Sequence, residues 1–423
     1  MSKKTTQDNT SGFLRNTATL LSGNVVSQAV AFAVYPLLTR MYSASDFGVL
    51  AIFTSIFSLF RIASTGRYDF AIVMSESEEE AKSLFKLSTK INLLFSLVLL
   101  LIVVVGKILF PSFSYFDELG GFVYTIPLMV FLAGFCLSAC YYLNKKKQYA
   151  TMAKADIVTS SSISMFKLGF GFAKYTQIGL ITASVIGQFI GAVYYFIKVG
   201  AKSFREKSLS LSIVAKKHKN FPLYVMPKEF IHTLSTRLPF LILVFYFGTE
   251  LLGFYSMAIT LSMIPIGLFA GSLTKVLYQR MAENTLEKKP VTPLFKDIAL
   301  KLSIIALPVF IVLFLFAEPV FSFVLSEEWC QSAVYFQIIL PCAYIYLISS
   351  PFDFVPNLFY EQKKAVIFDI AYLSLCLVGL MIGIWVNDFR LSIILFSVAG
   401  VLNFSFLFVW YFCLLKRYEK SLL

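Results

Sequence analysis

Apolar stretches of membrane-crossing length recur along this chain, divided by short polar punctuation. Twelve are read from the pattern, at 17–38, 49–72, 83–109, 122–143, 155–175, 179–198, 231–248, 254–278, 298–317, 334–358, 366–386 and 391–414. Their lengths predict helices, and the expected fold class is an all-α integral membrane protein. The fifth stretch breaks the apolar rule. "KADIVTSSSISMFKLGFGFAKY" (154–175) carries Lys167 near its middle, with Asp156 and a serine cluster upstream. On insertion scales a lysine or aspartate at a helix centre costs roughly 2.5–3.5 kcal/mol. At about 3.6 residues per turn, Asp156, Ser160, Ser164, Lys167, Gly171 and Lys174 share one face. That spacing predicts a polar stripe with something wet to look at.

Other spans carry similar faces. Asn24, Gln28 and Tyr35 align on the first, and Thr54, Ser58, Arg61, Thr65 and Tyr68 on the second. His232, Thr233, Thr236 and Arg237 crowd the start of the seventh; Tyr346, Ser350, Asp353 and Asn357 run down the tenth between Pro351 and Pro356. A basic residue near a helix end usually snorkels to the headgroups, and Arg67, Lys90, Lys275 and Lys301 are read that way, Arg67 also as a local partner of Asp69. Asp353 and Asp369 equally suit capping or pairing between helices. Arg61 and Lys167 are expected at mid-span, too deep to snorkel, and are assigned with Arg237 to a hydrated cavity. Cations at the deepest positions call for an anionic ligand, and phosphate oxygens suit both arginine forks and lysine point charges. Tyr35 and Tyr68 are the candidates for stacking on sugar rings, completing the expected substrate-binding set. Asp156 and Asp353 are the candidate coupling or pairing carboxylates.

Composition agrees with the pattern. The chain has 423 residues, 58% hydrophobic and 14% charged, with a mean hydropathy of +0.76. A soluble domain sits near half apolar and a quarter charged. Residues 1–12 are polar, and the apolar stretch after them is long enough to span, so no cleaved leader is expected. Six cysteines without a CxxC pair and two histidines predict no metal site and no disulfide framework, and no cofactor is expected.

The net charge of +13 changes the picture only through its placement. With the N-terminus set in the cytoplasm, twenty-six lysines and arginines fall in inner loops and tails and four in outer ones. The positive-inside rule then places both termini in the cytoplasm. The basic balance is topology, and nucleic acid is not an expected partner. The longest hydrophilic segment, with "KSFREKSLSLSIVAKKHKN", divides the chain into an N-terminal six-helix bundle (1–200), a cytoplasmic basic linker (201–230) and a C-terminal six-helix bundle (231–423). Faint likeness between "FGVLAIFTSIFSLF" (47–60) and "LGFYSMAITLSMIPIGLF" (252–269) suggests a duplication, a common way to build a transporter around a central cavity.

"PLLTRMYSASDFG" (36–48) and "RYDFAIVMSESEEEAK" (67–82), within residues 22–84, resemble bacterial polysaccharide flippases. These are the O-antigen (Wzx-type) and related members of the multidrug/oligosaccharidyl-lipid/polysaccharide exporter superfamily. "FPLYVMPKEFIHTLSTRLPFLILVFYFGTELLGFYSMAITLSMIPIGLFAGSLTKVLYQRMAE" (221–283) looks like the same family's seventh and eighth spans. Together the segments cover about a third of the chain, and none is a catalytic signature. The resemblance implies a flippase of the bacterial inner membrane. Its cargo would be an undecaprenyl-diphosphate-linked oligosaccharide, an O-antigen repeat or similar, moved from cytoplasmic to periplasmic leaflet by alternating access in lipopolysaccharide or related polysaccharide biosynthesis. Membrane lipid, a coupling proton or sodium ion and other polysaccharide-assembly membrane proteins are the implied partners.

Two alternatives stand beside it. A drug or cation exporter of the same superfamily would present carboxylates to its cargo, and Asp156 and Asp353 keep that reading open. A membrane polysaccharide polymerase or acyltransferase would need a large outer loop or an outer base. The outer segments 111–121 and 318–333 are short, and no histidine falls on the outer side, so an enzyme is not expected. No GxxxxGKS loop occurs, which argues against direct ATP use.

Overall fold

The computed structural model describes residues 25–110, 118–200, 209–359, 361–420 and 422, and these are helical with no strand among them. Asn24 and the start of the first expected span, most of the outer 111–121 segment and the start of the linker lie outside the described residues. In chain order the helices are α1 (Val25–Leu38), α2 (Ala44–Ser64), α3 (Tyr68–Met74), α4 (Glu78–Leu109), α5 (Thr125–Lys145), α6 (Tyr149–Phe172), α7 (Gln177–Val199) and α8 (Leu211–Lys217). They continue as α9 (Met226–Ile242), α10 (Val244–Leu286), α11 (Thr292–Leu315), α12 (Ala317–Val324), α13 (Cys330–Ser349), α14 (Gln362–Trp385) and α15 (Phe389–Lys420).

Among the described residues nine helices are long and apolar enough to cross a membrane. They coincide with the second to fourth, sixth and eighth to twelfth expected spans. The other three fall short for identifiable reasons. Only 14 residues of the first are described, the short apolar helix Val25–Leu38. The fifth, α6, is a 24-residue helix diluted by its own polar stripe. The seventh, α9, has 17 residues and carries His232, Arg237 and Pro239. Gly248, with φ 79°, breaks the helical path between the seventh and eighth spans, a conformation open to glycine and costly for other residues.

Local chemistry sets the helix ends. Ser43 and Asp46 form a reciprocal capping box at the start of α2. Ser77 caps α4, with Glu78, Glu79 and Glu80 in its first turn against the helix dipole. Lys145 donates to the carbonyls of Ser75 (2.5 Å) and Val73 (3.3 Å), satisfying the end of α3.

The chain divides into two compact units, Met1–Thr233 and Leu234–Leu423. In the first, α6 and α7 pack along their length through a GxxxG pair. A Cβ on Gly187 would sit 2.7 Å from the Ile163 backbone nitrogen, and one on Gly191 would overlap Thr159. The α4–α5 seam is pinned by polar groups: Asn92 donates to the Phe131 carbonyl (2.8 Å) and Ser88 to Ser138 (3.0 Å).

The short helix α8 docks on the same unit. Val214 is buried in its core, Ser83 donates to the Leu209 carbonyl, and Glu80 bonds Lys217 (2.7 Å) and lies 2.9 Å from His218 Nε2. A 32-residue helix rises roughly 48 Å, more than the ~30 Å hydrocarbon core, and the first turn of α4 therefore stands outside it. Burial raises the Glu80 carboxyl, but bonds from Lys217, His218 and the Glu76 amide outweigh burial and hold it down at about 2. Those same bonds to Glu80 and Glu76 raise Lys217 above the ordinary lysine value.

In the second unit α11, α13 and α15 meet in an aromatic core, with Phe295 at 4.3 Å from Phe352 and 4.9 Å from Phe408, ring centre to ring centre. Its α14–α15 pair repeats the device of α6–α7. Gly379 and Gly383 lie against Leu395 and Ser392, where a Cβ would meet backbone.

Candidate functional site

The first unit holds a cavity of about 540 Å³ among α1, α2, α5, α6 and α7. Of the fifth-span stripe, Asp156, Ser160, Ser164 and Lys167 line it. Gly171 instead packs against Met41 and Tyr42, and Lys174 stands beyond the helix end with φ 59°. From the second span Ser58 and Arg61 reach the cavity, and from the first Tyr35, whose ring stacks on Phe47 at 6.4 Å.

Neither cation stands at mid-helix, which corrects the expected depth. Arg61 is in the last turn of α2, because the backbone breaks at Gly66 and Arg67 with φ of 56° and 58°. Lys167 lies five residues from the end of α6. Tyr42, just ahead of α2, donates to the Lys167 carbonyl (2.7 Å), so the start of α2 is level with Lys167. Arg61, one helix length further on, therefore lies toward the other end of the cavity. Asp156, eleven residues from Lys167 and roughly 16 Å along the axis, also lies toward that end. The Lys167 ammonium has no hydrogen-bond or ion-pair partner among the described residues. A half-buried charge without a partner is unfavourable unless water or a ligand meets it.

The break at 65–67 removes Tyr68 from the stripe, a second correction. Tyr68 is 7% exposed in the unit's core, donates to the Ala215 carbonyl (3.3 Å) and does not line the cavity. Thr65 donates to the buried Asp69 (2.5 Å), which lies 3.9 Å from Arg67. Arg67 also bonds Glu229 (3.4 Å) and sits 4.8 Å over the Phe70 ring. The snorkelling expected of Arg67 is replaced by a buried network. Arg237 and Asp353 belong to the second unit: Arg237 is half-buried on α9, and Asp353 is exposed and accepts from Tyr411 (3.2 Å).

The sequence reading missed α7's contribution. Tyr195 donates to Asp156 at 3.5 Å, and Gln188 donates to the Cys136 sulfur at 3.2 Å. Gln188 is the amide in the middle of a largely apolar span and lies seven residues from Tyr195, on the same helical face. That was the available signal. The wall is fixed from outside as well: Ser160 donates to the Ser27 carbonyl (2.9 Å), tying α6 to α1.

The fold and this cavity define a multi-pass, all-helical membrane protein with a polar site inside its first unit. A family model described as a polysaccharide biosynthesis protein matches residues 37–334, and the chain belongs to that family. It is 19% identical over 272 residues to the teichuronic acid biosynthesis protein TuaB of Bacillus subtilis (strain 168). That match takes in 62% of this chain and 54% of TuaB, so the chain spans about half the length of the curated relative it matches. Among solved structures, an inward-facing MATE-family multidrug-resistance transporter of the MOP superfamily aligns with a TM-score of 0.68 at 15% identity, covering 95% of this chain and 96% of that one. A MOP-superfamily transporter from Pyrococcus furiosus, reported with a binding pocket of reversed polarity, aligns at 0.66 and 14% identity, with 96% of each chain covered. The fold is therefore that of the MOP-superfamily transporters.

Proposed function

We propose that this protein is a flippase for an undecaprenyl-diphosphate-linked oligosaccharide, moving it from the cytoplasmic to the periplasmic leaflet of the bacterial inner membrane. The observation that carries the reading is Lys167, a half-buried ammonium without a partner among the described residues, facing a polar cavity that Arg61 also lines. Phosphate oxygens are the ligand chemistry such groups favour. Membership of the polysaccharide biosynthesis family supports a glycan cargo, and the likeness to transporter folds supports translocation. In this reading the chain works by alternating access of two halves, 1–200 and 231–423, joined by the linker 201–230, and Arg237 is the candidate binding residue of the second half. Both chain ends are cytoplasmic, and a proton or sodium ion drives the cycle.

Asp156 favours a second reading, a drug or cation exporter, because a carboxylate in the same cavity suits cationic cargo. One set of variants separates the two. Arg61→Ala and Lys167→Ala should each reduce glycan export at least tenfold at unchanged protein level, while Asp156→Asn leaves part of it. Normal glycan export in both alanine variants, with cationic-dye efflux abolished by Asp156→Asn, would establish the exporter instead.

A further inference from the structure

The second unit carries a separate groove of about 650 Å³ between α11, α13 and α15. Its bed is apolar, built from Ala299, Leu300, Ile348, Phe408 and Val409. Leu300 and Val409 are 61% and 58% exposed, so the groove opens onto a wall that, in a membrane-spanning chain, faces hydrocarbon. Two of the polar groups in its lining satisfy each other: Ser303 Oγ and Tyr344 Oη are 2.5 Å apart.

One end is cationic. The Lys296 and Lys416 ammonium groups lie 5.3 and 4.8 Å from the centre of the same Phe412 ring. Neither has an ion-pair partner among the described residues, because the carboxylates nearby in sequence are engaged elsewhere. Asp297 pairs with Lys301 (2.8 Å), Glu361 with Lys364 (2.8 Å) and Arg417 (3.4 Å), and Glu419 accepts from the backbone amides of Val291 (2.9 Å) and Thr292 (2.8 Å), capping α11. Two exposed lysines brought to one ring without a counter-charge form an anion seat at the mouth of an acyl-sized trough.

We propose that this groove is a binding site for one anionic glycerophospholipid of the surrounding bilayer, its phosphate on Lys296 and Lys416 and one acyl chain along the bed to Tyr344. Basic pockets between membrane helices take anionic headgroups in this way, each lysine adding roughly 1 kcal/mol near the surface. The groove faces bilayer lipid whatever the protein transports, and the site does not rest on the transport reading.

The test uses full-length protein reconstituted in phosphatidylcholine alone or in phosphatidylcholine mixed with phosphatidylglycerol. Native mass spectrometry should retain one phosphatidylglycerol per chain, and the mixed bilayer should raise the Tm by several degrees. The double variant Lys296→Gln/Lys416→Gln, altering two exposed side chains, should lose both effects. Ala299→Phe, which fills the bed and leaves the lysines intact, should lose the retained lipid. Four results would overturn the site: an undiminished shift in the double variant, equal retention of phosphatidylcholine, a full shift from glycerol phosphate without acyl chains, or displacement of phosphatidylglycerol by substoichiometric undecaprenyl phosphate, which would make the groove a cargo path.

Discussion

Lys167 is the residue at which stability and function pull apart. Its ammonium is half-buried and faces a cavity with no partner among the described residues, whereas Tyr42 holds its backbone carbonyl in place. Removing such a charge should help folding, because desolvation opposes it and no ion pair is lost. Lys167→Met is therefore expected to raise the Tm or leave it unchanged while glycan export falls. A variant that melts lower and still exports would show that the lysine is a structural group. Arg67 presents the opposite case. It lies between buried Asp69 and Glu229, and its charge is compensated within the protein. Both stand within apolar stretches of the sequence, which offered Arg67 the local partner Asp69 but gave no sign of a second carboxylate. The difference lies in carboxylates brought near by folding, Glu229 being 162 positions away. Tyr68 escaped for a more local reason. A stepping argument assumes an unbroken helix, and the positive φ angles at Gly66 and Arg67 end that helix before Tyr68 is reached.

At the scale of the element, hydrophobic runs located the helices well, since length and apolarity are properties of each segment alone. The same runs were silent on which helix lies beside which, because that is decided by where backbones approach. Gly187 and Gly191 show the device: they bring α7 against Ile163 and Thr159 of α6, and α6 carries the polar lining. The GxxxG spacing was legible and was passed over in favour of charges. It returns at Gly379 and Gly383 on α14, packed against α15, though there the glycines lie on the first helix of the pair and in α6–α7 on the second. If the pair sets the cavity's shape, Gly191→Leu should force α6 and α7 apart at Thr159 and lower the Tm by several degrees, an overpacking cost of roughly 1–3 kcal/mol. Gly191→Ala should do less. Export should fall in the same order. Equal melting of all three proteins would show that α6 and α7 accommodate side chains there without strain.

The whole molecule is organised by charge as well as by packing. Turns between helices are marked by residues with positive φ: Lys147 and Lys288 in loops assigned to the cytoplasm, Lys174 and Asn387 in loops assigned to the outside. The lysines and arginines cluster on the first side, in the loop that includes Lys145, Lys146 and Lys147, in the segment from Lys198 to Lys228, and at Lys416, Arg417 and Lys420. Retention of basic loops during insertion depends on the lysine and arginine count near span ends, and acidic residues contribute little. The acidic turn around Glu78 therefore does not weaken the assignment, all the more because Lys82 and Lys146 pair with it (3.4 and 3.5 Å). Reporter fusions placed after Lys146, Lys217, Glu287 and Lys363 are expected to read cytoplasmic, and fusions after Glu250, Glu328 and Asp388 periplasmic. The fusion after Glu250 is the most discriminating. It follows the break at Gly248, the point at which the chain must turn if α9 and the body of α10 are separate crossings. A cytoplasmic reading there would make α9 a helix that does not cross the membrane. The second half would then hold five crossings, the sides of every later loop would be exchanged, and the carboxyl terminus would lie in the periplasm.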